Sequence, residues 1–213
     1  TAYEMLRSLV GSEMCIRDSP DTVRLGGEEK EITVFFSDIR GFTTISESIT
    51  SSKLVSLLNR YFTLMTEEII KNRGTLDKYI GDAIMAFWGA PLKDENQIDN
   101  ALIASLAMLD DLKELNKELQ KENLPEIRIG IGLFNGKAVV GNIGSTKRLS
   151  YTAIGDTVNT ASRLEGLNKE YGTQIIVGES IVKKAKGKYK FKFLGAVKVK
   201  GKNEEVNVYT IEV

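Results

Sequence analysis

Residues 31–39, Glu-Ile-Thr-Val-Phe-Phe-Ser-Asp-Ile, constrain the fold most. β-Branched and aromatic residues dominate the run, which reads as a buried strand. It carries a carboxylate, Asp38, near its end, with no basic residue just before it, and then opens into Arg-Gly-Phe-Thr. Gly41 and the polar residues after it predict a short helix over 41–49. Residues 51–74 place Leu54, Leu57, Leu58, Tyr61, Phe62, Met65 and Ile69 at helical spacing, start with serines and end at Gly74, the expected C-cap. Residues 75–89 read as two strands around Gly81-Asp82, a hairpin. A second long amphipathic helix over 97–123 stops at Leu124-Pro125. Residues 126–144 predict another hairpin, turning at Asn135-Gly136. Within it Ile127, Ile129, Ile131 and Leu133 share one face, and Arg128 points the other way. A strand (150–156), a helix (157–172), a strand (173–178), a short helix (179–187) and a closing strand pair (189–213) complete the chain. The predicted order is β-α-α-β-β-α-β-β-β-α-β-α-β-β: one α+β domain with an antiparallel or mixed sheet and flanking helices. No repeat of fixed period and no low-complexity linker interrupts it.

Residues 1–28 stand apart. "TAYEMLRSLVGSEMCIRDSPD" has no sustained period, and its "EMCIRDS" resembles the in-frame translation of a transposon-end sequencing adapter. The stretch is therefore expected to be a non-native leader, with the domain proper at 29–213. Cys15 lies inside it, so cysteine usage says nothing about redox compartment.

Composition excludes several chemistries. The 213 residues contain no histidine, which removes His general bases, His zinc sites and Ser-His-Asp triads. One cysteine removes disulfides within the chain and thiolate metal clusters. Lys+Arg and Asp+Glu are both 29, so the basic bias of a nucleic-acid binder is missing and no nucleic-acid partner is expected. No apolar run reaches the roughly 18 residues of a membrane span. Asp, Glu, Lys, Arg, Asn, Thr, the backbone and a metal remain.

Asp38 alone reads as a helix N-cap, and Asp82 alone as a hairpin turn residue. Both, however, sit at the ends of strands that can be neighbours in one sheet. Two carboxylates without histidine suit a hard cation such as Mg²⁺, which takes few protein carboxylates together with substrate phosphates. "IRGFTT" adds backbone N–H groups at a helix N-terminus, where phosphate binds. It is not a Walker A loop, since the Gly-Lys-Ser/Thr ending is missing.

Four segments, "FFSDIRGFTTIS", "DKYIGDAIMAFWGAP", "RIGIGLFNGKAVVGNIGS" and "YTAIGDTVNTASRLE", together resemble the catalytic domain of class III nucleotidyl cyclases, over Glu31 to Val213. The resemblance implies a ferredoxin-like α+β core, head-to-tail pairing of two domains, and cyclisation of a nucleoside triphosphate with release of pyrophosphate. It assigns Asp38, Asp82 and the Ile39 carbonyl to two Mg²⁺ or Mn²⁺ ions per site. Gly41, Phe42 and Thr43 fall where family members cradle phosphates. Lys78 and Thr152 match the base-reading positions. Lys donates to adenine N1 and the Thr oxygen accepts from the N6 amino group, so the pair points to ATP and to cAMP signalling, in a subset that is frequently prokaryotic. Guanylate cyclases typically resemble Glu and Cys there.

Asn159 and Arg163, at i and i+4 on one helix face, match the residues that orient the ribose and stabilise the pentavalent phosphorus. In an anonymous helix they would read as an exposed polar stripe. Arg128 and Lys200 match triphosphate contacts, against a plain reading as solvated strand-face charge. Met85, Phe87 and Trp88 lie near the implied interface or in the core. Ser150, Thr160 and Ser162 depart from the more usual Asp, Leu and Ala. A homodimer would then hold two complete sites, each sharing one protomer's aspartates with the other's Lys78, Thr152, Asn159 and Arg163. ATP as substrate implies the cytoplasm, with upstream sensory or membrane modules expected. A guanylate cyclase and an inactive nucleotide-binding regulatory module are the alternatives.

Overall fold

The computed structural model describes residues 25–145, 148–198 and 205–212. Strand β1 (Gly26–Ile39) is followed by helices α1 (Phe42–Ser48) and α2 (Ser51–Lys71), the hairpin β2 (Thr75–Ile80) and β3 (Ala83–Trp88), and helix α3 (Gln97–Lys121). Strands β4 (Ile129–Ser145) and β5 (Arg148–Ile154) come next, then α4 (Asp156–Tyr171), β6 (Ile175–Gly178), α5 (Glu179–Lys184), β7 (Phe191–Lys198) and β8 (Glu205–Ile211). The strands form one sheet in the order β2-β3-β1-β4-β6-β8-β7, and β5 also pairs with β4. Only β4 and β6 run parallel; the other pairs are antiparallel. The α+β fold with a mixed sheet and flanking helices is thus the one the sequence predicts. No helix among the described residues is long and apolar enough to cross a membrane.

The pleat of β1 separates the two larger of three buried apolar clusters. Phe35 and Ile39 face one side, packed with Leu57, Tyr61 and Met65 of α2 and Leu102 and Met108 of α3. Ile32 and Val34 face the other, with Met85, Phe87, Val140 and Ala161 of α4. Trp88 belongs to the first core, against Phe35 in a T-shaped contact. Met85, Phe87 and Trp88 are all buried within this chain.

Two local expectations are corrected. Asn135-Gly136 is not a turn. β4 is a single strand of 17 residues, in which Asn135 pairs with Thr33 and Gly136 with Ile32. The buried Asn135 amide donates to the Ile32 carbonyl (3.1 Å) and to Thr33 Oγ1 (3.2 Å), while its oxygen accepts from Lys184 Nζ. Fourteen register pairs with β1 outweigh the turn preference of two residues. Gly136 instead makes room for α4, because a Cβ there would lie 2.7 Å from Thr157 Oγ1. The reversal comes later, where Ser145 pairs with Arg148.

Gly74 does not cap α2 either. That helix ends at Lys71 with Asn72 as its cap, and the left-handed residue is Arg73 (φ 65°). Gly74 is needed for space: a Cβ would lie 2.6 Å from the Trp88 indole, whose Nε1 donates to the Asn72 carbonyl.

Candidate active site

The sheet order brings the two aspartates together. β1 and β3 are antiparallel neighbours with Ser37 opposite Ile84, so the end of β1 meets the turn before β3. Asp38 and Asp82 thereby become close electrostatic neighbours. Burial, then the Asp38 carboxylate, push Asp82 up to about 6, and the N–H groups of Asp82 and Ile39 pull against that shift. The helix-cap reading of Asp38 does not hold. The N-cap of α1 is Gly41 (φ 66°), and no side chain caps that helix. Asp82 follows Gly81 (φ 66°) in the hairpin turn. Gly41, Phe42 and Thr43 lead away from the acidic pair into α1, and the Arg40 N–H donates to the Arg128 carbonyl at 2.7 Å. Arg128 itself is exposed beside the same end of β1.

A third carboxylate, not anticipated from sequence, lies behind the pair. Glu165 of α4 faces Arg40, with Oε1 3.7 Å from Nη2. Burial pushes Glu165 up to about 7; Arg40 opposes this, and the Asp38 and Asp82 charges add to it. Gly130, opposite Asp38 in the register, leaves the space both side chains fill, since a Cβ there would fall on the Arg40 guanidinium. Beneath them, on the other face of the sheet, the buried Tyr61 and Ser37 hydroxyls lie 3.4 Å apart. Burial holds the Tyr61 hydroxyl well above its usual pKa.

The base-reading candidates form a second cluster. Lys78 Nζ donates to Thr152 Oγ1 at 3.1 Å across β2 and β5. Asp77, also missed from sequence, joins them: Thr152 Oγ1 donates to its Oδ2 at 2.5 Å, and its Oδ1 lies 3.1 Å from Lys78 Nζ. On α4, Asn159 is exposed and Arg163 half-buried. Lys200 lies outside the described residues.

Chemically, the Asp38–Asp82 pair is a set of hard oxygen donors. That fits a divalent ion completing its shell with the Ile39 carbonyl and substrate phosphates. Among the described residues no group of three His, Cys, Asp or Glu side chains is placed to hold a metal alone.

The adenylate and guanylate cyclase catalytic domain family matches residues 27–213. The chain belongs to this family, the class III nucleotidyl cyclases. It is 38% identical over 199 residues to adenylate cyclase 1 of Rhizobium meliloti, covering 92% of this chain and 30% of that protein. Against the adenylate cyclase of Anabaena cylindrica it is 40% identical over 190 residues, covering 86% and 37%. It therefore spans about a third of these curated relatives. Among solved structures, the adenylyl cyclase CyaB from P. aeruginosa superposes with TM-score 0.82 at 33% identity, covering 89% of this chain and 97% of that one. The guanylyl cyclase Cya2 gives 0.81 at 32%, covering 88% and 94%. Solved structures of both base preferences are thus about equally similar, and likeness of fold does not choose between ATP and GTP.

Proposed function

We propose that this domain is an adenylate cyclase, converting ATP to 3′,5′-cyclic AMP and pyrophosphate in cytoplasmic signalling, and that it works as a head-to-tail homodimer. The observation that carries the base choice is the 3.1 Å contact between Lys78 Nζ and Thr152 Oγ1. It puts a donor and an acceptor side by side, as the N1 and N6 positions of adenine require. Asp38, Asp82 and the Ile39 carbonyl would hold two Mg²⁺ or Mn²⁺ ions, which would supply charge neutralisation of the triphosphate and a more acidic ribose 3′-hydroxyl. Gly41, Phe42 and Thr43 offer backbone N–H groups to the phosphates, and Arg128 adds charge at the same end; the motif match makes Lys200 a further triphosphate contact in this reading.

Sharing of the site between protomers is supported by α4. At about 100° per residue, Arg163 leaves the helix roughly 200° from Glu165. Glu165 points toward its own chain's acidic pair, so Arg163 points away from it. An arginine so placed serves the partner's aspartates, where its fixed donors meet the charge that develops on phosphorus. Asn159, one turn earlier, orients the ribose in that same site.

Cyclic products formed from equimolar ATP and GTP with Mg²⁺ or Mn²⁺ test the proposal. Cyclic AMP is expected to dominate, while a dominant cyclic GMP yield refutes the base assignment. Absence of both products, with nucleotide bound, would make the domain a regulatory module.

A further inference from the structure

We infer that Asp77 is a positioning residue for base choice: it fixes the Thr152 hydroxyl as an acceptor beside the Lys78 donor, so that the pair accepts an adenine edge and rejects a guanine one. The inference rests on the adenylate cyclase reading of Lys78 and Thr152.

The backbone places Asp77 for this task. It sits where the β2–β3 register shifts between Leu76 and Lys78. A bulge there re-aims a side chain out of strict alternation. As a result Asp77 and Lys78, adjacent in sequence, reach the same threonine. The Asp77 side chain is 1% exposed. Its Oδ2 accepts from Thr152 Oγ1 at 2.5 Å and, more weakly, from the Ala153 N–H at 3.4 Å. A carboxylate buried this far has to be answered by polar partners: Thr152 answers Oδ2, and Oδ1, which has no hydrogen-bond partner among the described residues, has the Lys78 ammonium 3.1 Å away.

Proton counting then sets the polarity. A threonine hydroxyl carries one proton and two lone pairs. Its proton is committed to Asp77 and one lone pair accepts from Lys78. Toward a ligand, Thr152 can therefore only accept. The Lys78 ammonium can only donate, and its side chain is 44% exposed, so it remains accessible to a base. The cluster thus offers a base one donor at the accessible Lys78 and one acceptor at Thr152, which is itself 6% exposed. Adenine presents N6–H₂ and N1, the complementary set. Guanine presents O6 and N1–H, which would set acceptor against acceptor and donor against donor. A threonine without Asp77 could turn its proton outward and accept guanine O6 as a partner. Lys78 and Thr152 alone therefore leave the choice half open, and Asp77 closes it.

The test is made on the full chain with Asp77→Asn and Asp77→Ala, measuring kcat/KM for ATP, GTP and purine riboside triphosphate, which lacks the N6 amino group. Wild type is expected to prefer ATP over both, by roughly tenfold or more for one well-made hydrogen bond. In Asp77→Ala the ATP to purine riboside triphosphate ratio and the ATP to GTP ratio should both fall toward one, while Asp77→Asn, whose amide oxygen can still accept the Thr152 proton, should retain more of the preference. In a Thr152→Val background, Asp77→Ala should leave these ratios unchanged. For Asp77→Ala, a uniform drop for all three nucleotides, or ratios that stay at the wild-type value, overturns the role of Asp77 alone. A wild type that prefers GTP instead overturns the underlying reading of the pair. If neither Asp77 variant folds by circular dichroism, the carboxylate is a folding element and the inference falls.

Discussion

Gly132→Ala tests how helix α4 is seated, and through it the placement of Asn159 and Arg163. A Cβ at Gly132 would lie 2.2 Å from the Glu165 backbone nitrogen and 2.4 Å from the Ala161 carbonyl oxygen. Ordinary contact begins at 3.4 Å, and both obstacles are backbone, so no rotamer change can relieve them. The helix must retreat from β4 by the shortfall, about 1.2 Å. Overpacking of this kind costs about 1–3 kcal/mol, and each kcal/mol lowers Tm by roughly 2–4 °C in a chain of this size. A displacement near 1 Å of groups that must meet the reacting centre costs about 10²-fold in turnover. Gly166 is the control on the same helix. It is exposed, with nothing within 4 Å of its virtual Cβ, so Gly166→Ala should add up to about 1 kcal/mol through helix propensity and leave turnover unchanged. Circular-dichroism melts and initial rates of cyclic AMP formation at saturating ATP read both effects. Wild-type melting and turnover in Gly132→Ala would show that the close approach of α4 to β4 is not what positions these groups.

Thr160→Val should stabilise the chain. Thr160 is fully buried and its hydroxyl has no hydrogen-bond partner among the described residues, so the isosteric apolar side chain should gain about 1 kcal/mol. A melt unchanged or lowered would contradict this. The metal-free protein should also lose stability as pH rises, because Glu165 is held up at about 7 by burial and by Asp38 and Asp82, against Arg40. A carboxyl raised in the folded state contributes its stability below the unfolded value, and that stability is lost as pH climbs through about 7. Glu165→Gln should therefore raise the Tm of chelated protein at pH 8 more than at pH 4.5. Equal shifts at both pH values would remove Glu165 as the cause.

The elements whose periodicity was strong, β1, α2 and α3, were legible in the sequence because burial on one face imposes a pattern that local residues display. Asn135-Gly136 misled because its turn chemistry is local, whereas its pairing partners Ile32 and Thr33 lie about a hundred residues away. Gly74 misled in the same way, its reason being an indole 14 positions downstream. The acidic pair could be suspected from two strand ends, and Lys78 with Thr152 from motif resemblance. Asp77 and Glu165 could not: each acquires its role from distant residues, Thr152 for one and Arg40 and Gly130 for the other. The glycines at 130, 132 and 136 hint at how closely α4 approaches, and nothing local says which side chain uses the space.

The shared site is tested most directly by mixing two inactive chains, Asp38→Ala and Arg163→Ala, and measuring cyclic AMP from ATP. Alone, Asp38→Ala should be inactive and Arg163→Ala reduced by roughly 10²–10³. In an equal mixture half the dimers are mixed, and each carries one intact site of two, so about a quarter of wild-type activity should return. No recovery, with mixed dimers demonstrated by differential tags, would contradict a site built from one protomer's aspartates and its partner's arginine.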